Sequence, residues 1–248
     1  MARKAVAFAL LTCPPLTVAA LSFLVFGTSA PVALALGFLS AFMFCDAWYF
    51  LRMAHNATTL WLNEQPFFRE LKKDQPQRPL FAVSEVKGRI YLNDIDRNGH
   101  CNNARFLREC GFGRRDLWQH NGVWAMITAS GGNLVVGSQT VRYRRELSFG
   151  ELYTLETRVL CWDDRAFYVE HRFVTTQSPQ SGDGKFINAI IIVKNTVLGK
   201  LGPQKIVEKL PNLSDEERKS PEIPKDIAAW IESNDISSKL LRAESAKK

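Results

Sequence analysis

The chain has 248 residues, 46% of them hydrophobic and 11% aromatic, which is enough to bury a core and argues against disorder. Its 32 basic and 25 acidic residues leave a formal charge of +7, scattered rather than gathered into a tract. That balance does not require nucleic acid as a partner, but it allows attraction to anionic lipid or a phosphorylated small molecule. Five cysteines, an odd number, with no Cys-x-x-Cys pair argue against a disulfide framework and a zinc knuckle.

No charged residue occurs from Ala5 through Cys45. Gly27, Thr28, Ser29 and Pro31 divide this run into Ala5–Phe26 and Val32–Leu51, each about the 20 residues a helix needs to cross a bilayer. Pro14-Pro15 is expected to kink the first piece or make it re-entrant. Arg3, Lys4 and Arg52 flank the run and place both ends in the cytosol. The alternative is a cleaved secretory signal ending near Thr28-Ser29-Ala30, which would release a secreted protein. The apolar piece exceeds the roughly 7–15 residues of a signal core, so a retained anchor is favoured. Unpaired Cys101, Cys110 and Cys161 suit a reducing compartment, and the anchor gives an endoplasmic-reticulum membrane as the expected address.

Residues 1–51 are thus read as an anchor of one or two helices, and 52–79 as a juxtamembrane helix (His55–Leu71) and a Pro-rich linker. Residues 80–200 form the folded domain, and 201–248 a helical extension. Within the domain the periodicity predicts a short strand at Phe81–Val86 and a helix over Ala104–His120. Strands are predicted at Val123–Ser130, Leu134–Leu147, Tyr153–Trp162, Phe167–Thr176 and Phe186–Leu198. Tyr153, Leu155, Thr157, Val159 and Cys161 should share one face, and Phe167, Val169, His171 and Phe173 another. Ser178–Lys185 reads as a loop, and Gly202–Leu210 and Pro224–Arg242 as amphipathic helices. One helix followed by four or five antiparallel strands is an α+β arrangement with the helix on one sheet face.

The chemistry concentrates in Asn93-Asp94-Ile95-Asp96-Arg97-Asn98-Gly99-His100-Cys101-Asn102-Asn103. Asp94-x-Asp96-x-Asn98-Gly99 opens like a calcium loop, but the position that must hold a bidentate glutamate is Arg105, which excludes calcium. The segment packs carboxylates, an amide and an imidazole just before a helix capped by Asn102 or Asn103. Unpaired first-turn N–H groups and the helix dipole make an oxyanion site there. The bland reading is a loop whose Asx side chains fold the turn and cap the helix.

Asp94-x-Asp96-x-x-Gly99-His100-x-Asn102-Asn103-x-x-Phe106-Leu107 resembles the signature of hotdog-fold acyl thioesterases. With Tyr143-Arg144-Arg145-Glu146 downstream it is similar to the plant acyl-carrier-protein thioesterases, over roughly Leu80–Leu198. The resemblance implies a hotdog fold, an antiparallel β-sheet wrapped around a long central helix. It implies that Asp96 is general base or nucleophile, that Asn98 and His100 position substrate or water, and that Glu146 is a second carboxylate. It further implies that the amides of Asn102, Asn103 and Ala104 hold the thioester oxygen, and that the protein is a homodimer or larger with the cleft between protomers.

Arg142, Arg144 and Arg145 are candidates to meet the phosphates of coenzyme A, against a plain reading as a solvated strand face. Glu146 read without the resemblance is a charge closing a strand before a turn. His171, on an apolar face, is expected to be a hydrogen-bonded core residue, and Cys101 is not expected to act as a nucleophile. The expected function is a membrane-anchored thioesterase hydrolysing fatty acyl-CoA or a related acyl thioester by carboxylate-activated water. It needs no metal and no cofactor beyond the coenzyme A moiety of the substrate. The alternative is an acyl-thioester or lipid-binding module, or a membrane scaffold, without turnover.

Overall fold

The computed structural model describes residues 13–44, 46–64, 77–176, 184–211 and 213–246. Two compact units emerge, one of residues 1–75 with 91–94 and one of residues 76–90 with 95–248.

The first unit is built from α1 (Pro14–Leu24), α2 (Ala30–Phe44) and α3 (Ala47–Glu64). Pro14-Pro15 starts α1, because a proline in the first turn surrenders an N–H that would be unpaired anyway; the part of the expected first piece before Cys13 lies outside the described residues. Asp46, at φ 54°, separates α2 from α3, and the two meet at 80°. The second apolar piece, expected at Val32–Leu51, is therefore cut at Asp46, and α3 runs through Leu51 without a break. The juxtamembrane helix expected at His55–Leu71 is the second half of α3 as far as Glu64; the rest lies outside the described residues. No single described helix is long and apolar enough to cross a membrane. At 1.5 Å per residue, the 11 residues of α1 and 15 of α2 rise about 16 and 22 Å against about 30 Å of hydrocarbon. Their apolar side chains are nonetheless outward: Leu24 of α1 is 76% exposed and Leu34 of α2 69%. A 3-10 turn at Leu92–Asp94 belongs to this unit. Tyr91 meets the Trp48 ring at 6.0 Å, Asn93 Nδ2 donates to Asp46 Oδ1, and the Asp94 carboxylate accepts the Tyr91 N–H.

The second unit is a five-stranded antiparallel sheet in the order β1-β3-β4-β5-β2. The strands are β1 (Ser84–Arg89), β2 (Asn133–Tyr143), β3 (Leu152–Trp162), β4 (Ala166–Thr175) and β5 (Phe186–Leu198). Helix α4 (Asn103–His120) lies across one face, burying Phe106, Cys110, Gly113 and Leu117. This is the helix-in-sheet arrangement of a hotdog fold. Its core has two clusters, one around Trp118, Phe167, Val169 and Ile206, the other around Phe106, Leu155, Phe173 and Ile191. On the opposite face, α7 (Lys225–Ser245) lays Ile227, Trp230 and Ile231 on Cys161, Tyr168 and Ile192.

Four expectations are corrected. Val123–Ser130 is not a strand: Val123–Ala129 is a helix, α5, started after left-handed Gly122, because Val123 and Ile127 meet the core at helical spacing. Cys161 does not share a face with Tyr153–Val159, since a register shift after Val159 turns it to the α7 side. The strand expected to run to Leu147 stops at Tyr143, where the backbone leaves the sheet. The first strand also lies later than expected, at Ser84–Arg89, and the short helix α6 spans Pro203–Glu208.

The packing of α4 on the sheet is tight: a Cβ on Gly113 would sit 2.4 Å from Thr157 Oγ1. Beneath it His171 is wholly buried. Its Nε2 lies 3.4 Å from Arg114 Nη1 and its Nδ1 2.9 Å from Thr157 Oγ1. A guanidinium only donates, so Nε2 is the acceptor and Nδ1 carries the proton in the neutral ring. Burial, and secondarily the Arg114 charge, hold its pKa well below 6.5. The unfolded protein therefore takes up a proton below pH 6.5 that the folded protein refuses. The associated stability is complete above that pH and falls on acidification. Denaturant titrations should show unfolding free energy dropping below pH 6.5 by up to ~1.4 kcal/mol per pH unit from this group, a slope that His171→Gln removes.

Candidate active site

The polar motif forms a closed hairpin leading into α4. Asp96 N–H donates to His100 C=O and Gly99 N–H to Asp96 C=O, each at 3.0 Å, while Ile95 bridges Cys101. Gly99, at φ 81°, takes the left-handed position this tight turn demands. The Asp96 carboxylate accepts the Asn98 N–H at 2.8 Å, and its Oδ1 stands 3.7 Å from His100 Nδ1.

A second segment meets this hairpin. Cys101 N–H donates to Leu147 C=O at 2.8 Å, and His100 bridges Ser148. Residues 144–147, just past β2, are thereby laid beside the start of α4. Between them is a cleft of about 280 Å³ lined by His100, Cys101, Asn103, Phe106 and the run Tyr143–Glu146.

Each sequence-derived candidate has a definite place. His100, Glu146, Arg144, Arg145 and Asn103 line the cleft. Asp96 stands behind His100 with a side chain 20% exposed, and Asn98 is exposed on the turn with its N–H given to Asp96. Arg142 is exposed on β2 and does not line the cleft. Asn102 is the N-cap, its Oδ1 accepting the Ala104 N–H at 2.9 Å. The Ala104 amide is thus engaged, whereas the Asn103 N–H has no acceptor among the described residues, as expected at a first helical position. Cys101 is buried, its thiol 3.7 Å from Asn102 C=O.

Several contributors carried no separate sequence signal. Tyr143 donates its hydroxyl to Asn103 C=O at 2.9 Å and packs edge-on to Phe106 at 5.3 Å. Partial burial, then the Cys110 and Cys101 thiols, raises its phenol above the ordinary value, so it remains a donor at neutral pH. The Phe186 ring lies under both guanidiniums, 5.0 Å from Arg144 Cζ and 4.4 Å from Arg145 Cζ. Buried Thr175 accepts a hydrogen bond from Arg145 Nη2 at 2.6 Å.

The profile of the thioesterase-like superfamily matches residues 90–231, the hotdog unit and both sides of this cleft. The protein belongs to the thioesterase-like superfamily. Its relatives include Protein THEM6 of Xenopus laevis, 36% identical over 86% of this chain and 94% of that protein. Protein THEM6 of Danio rerio is 38% identical over 84% of this chain and 93% of that one. Among solved structures, the YbaW probable thioesterase from Escherichia coli superposes with a TM-score of 0.42 at 18% identity, over 47% of this chain and 83% of that one. For this thioesterase-superfamily member, Asn102→Ala should remove the cap of α4 and cost about 1 kcal/mol in chemical denaturation, with Asn102→Ser recovering most of it.

Proposed function

We propose that the protein hydrolyses an acyl thioester in this cleft. Glu146 is the base that activates water, His100 holds the water or the thioester, and Asp96 orients His100. The Asn103 N–H at the positive end of α4 receives the developing oxyanion. The observation that supports this most is the meeting, in one cleft of a thioesterase-superfamily fold, of a carboxylate, an imidazole and an unengaged helix-start N–H. Thioester cleavage asks for those three functions, a nucleophilic water, a fixed polar partner and a polarised carbonyl.

Arg144 and Arg145 point to a substrate carrying phosphates, and coenzyme A is the proposed leaving thiol. Their guanidiniums are held against Phe186, which lowers the ordering cost of gripping a phosphate. A homodimer belongs to the same reading. β2 is an edge strand of 11 residues, and a second copy pairing there would continue the sheet beside the cleft. Membrane attachment is proposed through α1 and α2, whose exposed leucines and phenylalanines have the character of lipid-facing helices. Too short to cross singly, they would insert from one side and leave the thioesterase unit in the cytosol. Carbonate-resistant sedimentation with membranes, without a glycan at the Asn212 sequon, is the expected behaviour.

The test is thiol release from acyl-CoAs of increasing length by the full-length protein in detergent micelles. Glu146→Gln should lower kcat by on the order of a hundredfold or more with KM little changed, and Asp96→Asn should cause a smaller loss of kcat. Arg145→Ala should raise KM for acyl-CoA more than for an acyl-pantetheine, which lacks the nucleotide phosphates. Saturable binding without thiol release would make the protein a recognition module instead.

A further inference from the structure

Asn188 lies on β5, wholly buried, in a strand otherwise dominated by aliphatic residues. An amide buried there must be repaid in hydrogen bonds, since each unmet polar atom costs about 1–3 kcal/mol. The bonds it makes with its carbonyl and its side chain lead to the cleft wall. Its backbone carbonyl accepts the N–H groups of both Arg144 and Arg145, at 2.8 and 3.1 Å. Its Nδ2 donates to Glu146 C=O at 3.2 Å, and its Oδ1 accepts the Thr175 hydroxyl at 3.0 Å. Thr175 Oγ1 in turn accepts Arg145 Nη2 at 2.6 Å.

The amide orientation follows from its partners. The Glu146 carbonyl only accepts, so it must face Nδ2. The Thr175 oxygen accepts a hydrogen bond from Arg145 and its O–H is left to donate, so it faces Oδ1. This clamp sits where the backbone has left the β2–β5 ladder and no strand pairing remains to fix Arg144–Glu146. Two successive N–H groups sharing one carbonyl produce the turn itself.

We propose that Asn188 is a positioning residue for the reaction in the cleft, holding Glu146 through its backbone and Arg145 through Thr175. The inference rests on the hydrolytic reading above. It divides the work: the Nδ2 contact governs the placement of the base, and the Thr175 contact governs the arginine that meets the leaving group.

The experiment uses the full-length protein in detergent micelles, with acyl-CoA turnover, thermal unfolding and hydrogen exchange measured together. Asn188→Ala removes both contacts, so it should lower kcat by about tenfold or more, raise KM about as much as the Thr175 variant below, and speed exchange selectively in residues 144–147. Thr175→Val should instead raise KM by about threefold or more with kcat nearly intact. Val169→Ala, a cavity in the core away from the cleft, should lower the unfolding temperature while leaving both constants within about twofold. A merely structural role would move all three variants along one line of lost stability. If Asn188→Ala does not fold, the near-isosteric Asn188→Leu carries the same expectation. A folded Asn188 variant with unchanged kcat, or with unchanged exchange at 144–147, overturns the inference. A wild-type protein that releases no thiol from any acyl-CoA overturns the hydrolytic reading instead, and the exchange result then decides the positioning by itself.

Discussion

One backbone hydrogen bond, from Cys101 N–H to Leu147 C=O at 2.8 Å, joins the two segments that make the cleft. On one side of it stands a hairpin that delivers His100 to the start of α4. On the other is the segment that carries Arg144, Arg145 and Glu146 out of the sheet. Everything nearby serves that meeting. The Asn102 cap sets where α4 begins, and the Tyr143 hydroxyl ties the end of β2 to Asn103. Asn188 fixes the departing backbone from beneath. A backbone contact suits the purpose, because it holds the geometry while leaving the side chains free to meet a ligand.

The sequence disclosed the two ends of this contact but not the contact. Periodicity placed α4 and strands β3 to β5 nearly to the residue, since each presents a clean apolar face to one core. It failed at Val123–Ala129, where β-branched residues favour a strand locally but Val123 and Ile127 reach the core one helical turn apart. It failed again at Cys161, because a bulge is a change of register between strands and leaves no mark on the alternation of one of them. The polar motif named His100 and the family resemblance named Glu146, and the structure puts both on one cleft. It could not separate Asn103 from Ala104 as an oxyanion donor, since that depends on which N–H the Asn102 side chain occupies. Asn188 and Thr175 were invisible: an amide and a hydroxyl within apolar strands acquire meaning only through partners distant in sequence.

The amino-terminal segment shows how composition and geometry answer different questions. Its lack of charge and the outward leucines and phenylalanines of α1 and α2 give it an apolar surface. Helix length is a separate quantity, set here by Pro14-Pro15 and by the break at Asp46, and it makes each helix shorter than a bilayer core. The residues that line the cleft all belong to the second unit.

Hydrolysis at this site requires that a thioester occupy the cleft. Hydrogen exchange of the full-length protein, with and without a non-hydrolysable acyl-CoA thioether, measures this directly. Protection concentrated at residues 100–106 and 143–147 is the predicted result. Saturable binding that protects other parts of the protein and leaves those two segments unchanged would contradict it.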